Sequence, residues 1–205
     1  MNEIIINDDL LLIDNFLDED ELHMVKFGIY SEKLSISPNK KIEHTHTHYN
    51  RLYLERKYKN NTNASLLLTM IPAKLNSINT NNIISKLESF PFQSYFHRIY
   101  HYIETQLTVY TEGGLYNWHI DNDHGRQLTY ILPIQMTKEQ MWSGGELCII
   151  YKGECITIKP KNNQLIIFSG HLKHKVNPVK MKDPKDLLSG RVVINGHIGF
   201  GLNFT

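Results

Sequence analysis

The alternation of hydrophobic and polar positions changes character near residue 100. Before it, the period shifts several times. Ile4 to Ile13 is an apolar run that predicts a strand or extended chain. Asp18 then offers a helix N-cap, and Glu19, Asp20 and Glu21 fill the first turn, where the helix dipole favours acidic groups. Leu22, Val25 and Ile29 continue at helical spacing. Pro38-Asn39 marks a loop within a polar stretch, and Leu52 to Tyr58 alternates as a strand does. Helices are predicted over Leu66 to Leu75, with Pro72 as a kink or boundary, and over Ile83 to Leu87.

After residue 100 the chain becomes a series of short period-2 segments. Strands are predicted at Gln106–Thr111, Tyr116–Asp121, Gln127–Ile134, Glu146–Tyr151, Glu154–Ile158, Gln164–Phe168, His174–Val179 and Arg191–Phe200. Turn signals separate them: Gly113-Gly114, Asp123 to Gly125, Gly144-Gly145, Gly153, Asn162-Asn163, Gly170 and Pro184. Many short strands at this spacing suggest a sandwich or barrel. The predicted class is α+β, an N-terminal helical layer followed by an antiparallel β core. No composition shift cuts the chain, so residues 1–205 are expected to form one domain, with 1–100 as support and 101–205 as the β core.

Composition narrows the partners. A chain of 205 residues can bury a core without disulfides or metal staples. Its net charge of +1 advertises neither nucleic acid nor an anionic membrane. Two cysteines, Cys148 and Cys155, make no secreted disulfide framework. The N-terminus lacks a signal-peptide pattern, and no apolar run is long enough to span a bilayer. A cytoplasmic, reducing location is the expectation.

The one unusual count is 11 histidines. His119-Ile120-Asp121 ends a predicted strand, where residues two apart point the same way. By itself a His-x-Asp is common in a chain this rich in His. Its setting raises its weight. It is followed by the strand Gln127-Leu128-Thr129-Tyr130-Ile131-Leu132, the Trp142-Ser143-Gly144-Gly145-Glu146 turn, the apolar Gln164-Leu165-Ile166-Ile167-Phe168, then His174-Lys175-Val176-Asn177-Pro178-Val179 and Arg191-Val192-Val193-Ile194-Asn195-Gly196. A His, a nearby carboxylate and a distant second His on a β scaffold are the parts of a two-His-one-carboxylate facial triad, which leaves open positions on Fe(II).

In the order and spacing of these motifs, residues 106 to 200 resemble the 2-oxoglutarate and Fe(II)-dependent oxygenases, in particular the prolyl 4-hydroxylase-like branch. Leu12-Ile13-Asp14-Asn15-Phe16-Leu17 resembles that family's opening as well. The resemblance implies a double-stranded β-helix, or jelly roll, with N-terminal supporting helices. It implies that His119, Asp121 and His174 hold Fe(II), that Arg191 grips the far carboxylate of 2-oxoglutarate, and that Tyr110 and Thr129 line the co-substrate. O2 is the second co-substrate, and ascorbate a candidate reductant. The implied reaction hydroxylates an unactivated C–H bond, of a prolyl residue in a protein or peptide, with release of succinate and CO2. A free amino acid or small natural product is the alternative substrate. A metal-binding jelly roll without oxygenase activity is the alternative of another class.

Other residues compete for these roles. His171 is a second candidate for the distal ligand, but Val176 and Pro178-Val179 place His174 in the family register. His124 and Asp123 suit a loop, Arg126 a structural ion pair, and Tyr116 and Trp118 packing near the motif. His197, where many relatives carry Trp, suits a pocket or strand position. His44, His46 and His48 would share one face of a strand; a cupin-like second metal site would need a further Glu and His in register on later strands and the glycine framing that is missing here, so a solvated loop or a strand near the rim of the site is the expectation. The co-substrate tyrosine of several relatives is here Pro133, and the 17 residues from His174 to Arg191 imply an inserted loop.

Overall fold

The structure is a computed structural model that describes residues 2–7, 9–31, 37–38, 50–53, 67, 69–76, 102–122 and 125–199. The elements are β1 (Asn2–Asn7), β2 (Leu10–Asp14), α1 (Glu19–Ser31), β3 (Ser37–Pro38), β4 (Asn50–Tyr53), β5 (Tyr102–Tyr110), β6 (Tyr116–His119), β7 (Arg126–Ile134), β8 (Trp142–Gly144), β9 (Leu147–Tyr151), β10 (Glu154–Ile158), β11 (Gln164–Ser169), β12 (His174–Val176), β13 (Val179–Met181) and β14 (Arg191–Gly199). A major sheet runs β1-β2-β11-β7-β14-β5-β4-β3, and a minor sheet runs β10-β9-β12-β6. Every strand pairing is antiparallel. This is the expected jelly roll: two antiparallel sheets packed face to face, with helices supporting one of them.

The period-2 pattern sorts side chains between two cores. In β7, Leu128, Tyr130, Leu132 and Ile134 point to one face of the major sheet, where they meet Val25 and Ile29 of α1 and Leu67, Ile71 and Leu75. Ile131 points the other way, with Ile166 and Phe168 of β11 and Val193 of β14, against Leu147, Ile149 and Val176 of the minor sheet. The second face is the inside of the roll. In β2 all of Leu10, Leu11, Leu12 and Ile13 are buried, because the strand lies within the sheet and is covered on both faces. Helix α1 begins as predicted. The Asp18 carboxylate accepts from the Glu21 backbone N–H (2.9 Å), and the Glu21 carboxylate accepts from the Asp18 N–H (2.8 Å). This reciprocal box satisfies two otherwise orphan donors.

Some elements differ from expectation for local reasons. The run Ile4 to Ile13 is two antiparallel strands, not one: β1 ends at Asn7, β2 starts at Leu10, and Asn7 pairs with Leu10. His174 to Val179 splits into β12 and β13 at Asn177-Pro178, where proline has no N–H for a ladder. β13 pairs with β8, so the interval from His174 to Arg191 is partly sheet, followed by a one-turn 3-10 segment capped by Asp186. Pro72 does not end its helix. Residues 69–76 are helical on both sides of it. The N-terminal support is therefore mixed, contributing four strands to the major sheet as well as helix. The predicted helix Ile83–Leu87 and the His44-His46-His48 cluster lie outside the described residues, as do Asp123 and His124.

A candidate metal centre beside a buried arginine

The minor sheet brings the two distant histidines together. His119 ends β6, His174 begins β12, and the two are direct cross-strand partners. Their rings lie 4.1 Å apart between centroids. Just past β6, the Asp121 backbone N–H donates to the Gly170 carbonyl (2.9 Å), and this pins the turn that carries the carboxylate. One ligand atom each from His119, Asp121 and His174 lie within 4.8 Å of one another. Among the described residues, these three form the group that can hold a metal ion. Side-chain exposure falls from 18% at His119 to 13% at Asp121 and 4% at His174, so the cluster opens outward on the His119 side.

Hydrogen bonds set how the imidazoles face the site. His119 Nδ1–H donates to the Asn117 carbonyl (2.7 Å), and His174 Nδ1–H donates to the Leu172 carbonyl (2.9 Å). A carbonyl can only accept, so both protons sit on Nδ1 and each neutral ring turns its Nε2 lone pair inward. His174 Nε2 is 3.3 Å from Asp121 Oδ2, and His119 Nε2 is 3.7 Å from Asp121 Oδ1. Two imidazole lone pairs and a carboxylate thus converge with no proton between them unless a ring is charged. Such a set calls for a cation, and its N2O composition suits Fe(II). Burial raises the Asp121 pKa, but a hydrogen bond from protonated His174 and the positive charge that His174, His197 and His119 carry when protonated outweigh it and hold the carboxyl well below the usual carboxylate range. Tyr116 stacks on His119 at 3.7 Å, and the Phe168 edge meets His174 at 4.8 Å, so both rings are also packed in place.

In the major sheet, β14 carries Arg191, the residue expected to bind a far carboxylate. Arg191 is buried, directly opposite Tyr110 on β5, with its guanidinium carbon 4.9 Å from the Tyr110 ring centroid. Its Nε and Nη2 have no hydrogen-bond partner. Burial lowers its pKa, while Tyr110 and Glu146 push it back up. A guanidinium out of water with unpaired donors is costly unless an anion joins it. Room for the side chain comes from the Gly144-Gly145 turn. Gly145 has φ +67°, and a Cβ there would stand 2.6 Å from Arg191 Cδ; one at Gly144 would collide with the Pro178 carbonyl. Gly145→Ala is expected to cost about 1–3 kcal/mol from backbone strain alone. Because it also displaces Arg191, it should weaken binding of a dicarboxylate without changing metal affinity, measured by paired titrations.

The remaining candidates fall into place around these two groups. Thr129 lies on the inner face of β7, and its hydroxyl donates to Asp121 Oδ2 at 2.9 Å. Pro133 also lies in β7, opposite Val193, and offers no hydroxyl to a ligand near Arg191. His171 is exposed on the turn after β11. Arg126 pairs with Glu104 at 2.7 Å, a structural ion pair. Two residues carry more than the sequence indicated. His197 is buried with its Nδ1 3.8 Å from Asp121 Oδ2, and Asn195, two residues earlier on β14, accepts from Thr108 at 2.8 Å. The readable signal for both was polar residues at odd positions of an otherwise apolar strand starting at Arg191. These sit on the face where an isolated polar side chain needs a partner.

Comparison with known proteins agrees with this geometry. Residues 105–199 match the family model of the 2OG-Fe(II) oxygenase superfamily. An uncharacterized PKHD-type hydroxylase of Synechocystis is 32% identical over 117 residues, covering 49% of this chain and 37% of that protein. The chain therefore spans little more than a third of the curated relative it matches. A Pseudomonas putida prolyl-4-hydroxylase superposes with a TM-score of 0.62 at 15% identity, covering 93% of this chain and 92% of that one. A Trichoplax adhaerens prolyl hydroxylase, solved with a peptide fragment of the hypoxia inducible factor oxygen degradation domain, superposes at 0.65 with 15% identity, over 94% and 84%. A viral collagen prolyl hydroxylase from Paramecium bursaria Chlorella virus-1, solved with 2OG, superposes at 0.55 with 17% identity, over 92% and 94%. Similarities at this identity show a shared fold.

Proposed function

We propose that this chain, whose residues 105–199 match the 2OG-Fe(II) oxygenase superfamily model and whose fold is shared with a prolyl-4-hydroxylase, is a 2-oxoglutarate- and Fe(II)-dependent hydroxylase of that superfamily. His119, Asp121 and His174 would hold the metal through two neutral imidazoles and one carboxylate. Arg191, stacked on Tyr110, would take the far carboxylate of 2-oxoglutarate, with Thr129 at the metal end of the same pocket. When bound, Fe(II) supplies the oxygen activation that couples decarboxylation of 2-oxoglutarate, to succinate and CO2, with hydroxylation of the substrate. The protein's own part is to present three ligands on one side of the metal and to keep the co-substrate oriented in a water-poor pocket.

The buried Arg191 guanidinium with unpaired Nε and Nη2 carries this reading. A jelly roll that merely stores a metal has no use for a buried guanidinium with two unfilled donors inside its roll. A dicarboxylate co-substrate supplies the missing anion as a bidentate, charge-assisted partner. With proline at position 133, Tyr110 is the aromatic residue beside that carboxylate.

For the substrate we propose a prolyl residue in a protein or peptide, following the prolyl hydroxylases that share the fold. The more exposed side of the cluster at His119, where Tyr116 stacks on the imidazole, suits an extended chain laid across it. The test is succinate release in the presence of Fe(II) and 2-oxoglutarate, screened over proline-containing peptides and free amino acids. Stimulation by peptides alone supports the prolyl reading, and stimulation by free amino acids alone replaces it. Silence with both classes, despite co-substrate binding, overturns the hydroxylase assignment. The location is proposed as cytoplasmic; among the described residues, no helix is long and apolar enough to cross a membrane.

A further inference from the structure

We propose that His197 and Thr129 form a buried hydrogen-bond relay that holds the Asp121 carboxylate in its ligand position, which makes both of them positioning residues of the metal centre. The inference rests on reading His119, Asp121 and His174 as that centre.

The two histidine ligands and the aspartate are anchored differently. Each imidazole is locked by its own strand, through a backbone carbonyl two residues upstream. Asp121 lies beyond β6, and among the described residues its side chain has no such backbone anchor. Its support comes from the opposite sheet. Thr129 on β7 and His197 on β14 are direct cross-strand partners, so their side chains share the inner face. Both are buried, Thr129 at 3% and His197 at 6% exposure.

Counting donors and acceptors gives the network one direction. The carboxylate can only accept, so the single Thr129 proton goes to Asp121 Oδ2 at 2.9 Å. The Thr129 oxygen is then left to accept. His197 Nδ1, at 3.3 Å from it, must present the proton. The order is His197 Nδ1–H to Thr129, and Thr129 O–H to Asp121 Oδ2. Each metal-binding side chain thus has one outer partner: the Asn117 carbonyl for His119, the Leu172 carbonyl for His174, and Thr129, oriented by His197, for Asp121. Partners of this kind fix ligand geometry, and losing one commonly lowers metal affinity roughly 10–100-fold.

The test is Co(II) binding to the full chain without turnover, read by calorimetry and by the Co(II) ligand-field spectrum. Thr129→Val keeps the shape and removes the hydroxyl. It is expected to bind Co(II) about 10–100-fold more weakly, with an altered spectrum, while Thr129→Ser restores wild-type affinity and spectrum. His197→Leu should weaken binding about two- to tenfold, the worth of one ordinary hydrogen bond. His197→Asn, which can still donate from the same place, should recover it. Melting of the metal-free proteins separates folding from binding, and the His197 pair carries the test if Thr129→Val does not fold. Wild-type affinity and spectrum in Thr129→Val and His197→Leu would overturn the relay, and so would failure of both conservative variants to rescue. Absence of Co(II) binding by the wild-type protein would instead overturn the metal-centre reading and the relay with it.

Discussion

Asp121→Ala is expected to abolish metal-dependent turnover to background and to weaken Fe(II) or Co(II) binding by more than about 100-fold. The floor for this estimate is the roughly 10–100-fold cost of losing an outer partner of a ligand; Asp121 is itself a ligand candidate. It is the only anion in the cluster, and it lies between the inward-facing Nε2 atoms of His174 (3.3 Å) and His119 (3.7 Å). Without it, two neutral imidazoles remain, and no charge offsets that of the ion. The Thr129 hydroxyl also loses its acceptor. His171→Ala is the matched control. His171 is exposed on a turn, and among the described residues its ring reaches Asn122 at a marginal 3.5 Å. It is expected to bind metal and turn over like wild type. If His171→Ala lost the metal and His174→Ala kept it, the distal ligand would be misplaced.

Arg191→Met is expected to separate the two halves of the site. Metal affinity stays at the wild-type level, because the three candidate ligands are His119, Asp121 and His174, and a protonated guanidinium offers no lone pair to a metal. Affinity for 2-oxoglutarate falls by an amount set by truncating a buried charge pair, about 2–5 kcal/mol. This corresponds to roughly 30-fold to several thousandfold in Kd. The same substitution should leave the melting temperature of the ligand-free protein unchanged or raise it. Arg191 is 1% exposed, and two of its guanidinium nitrogens are unpaired. Replacing such a charge by an apolar side chain of similar length removes a desolvation cost, commonly neutral to a few kcal/mol in favour of folding. Lower affinity with equal or greater stability is the signature of a residue kept for its ligand. Arg191→Lys should fall between, since an ammonium is a point charge without the planar fork. A joint loss of metal and co-substrate binding in Arg191→Met would mean the residue supports the fold or the metal instead.

Legibility of the site from the chain followed the range of its physics. His119 and Asp121 are two apart, and that spacing already implies a shared direction, which the turn after β6 retains. The strand at Glu154–Ile158 and the Asp18 cap were readable because alternation and capping are local. The breaks between β1 and β2 and between β12 and β13 were not read, because each lies inside a segment whose alternation looked continuous. β8 was not readable, because three residues carry no period. His174 and Arg191 are far from His119 in sequence, and only the order of motifs suggested them. Their placement rests on cross-strand register, His174 opposite His119 and Arg191 opposite Tyr110. The roles of His197 and Asn195 depend on which face of β14 they occupy and on what β7 and β5 place beside them. That information is in the sheet, not in the strand.

The measurement that tests the central claim most directly is anaerobic addition of Fe(II) and 2-oxoglutarate to the folded wild-type chain. The account predicts a weak visible metal-to-ligand charge-transfer band that needs both additions, disappears in Asp121→Ala, and returns in Arg191→Met only at much higher 2-oxoglutarate. A folded protein that binds metal yet shows no such band at any 2-oxoglutarate concentration would contradict it.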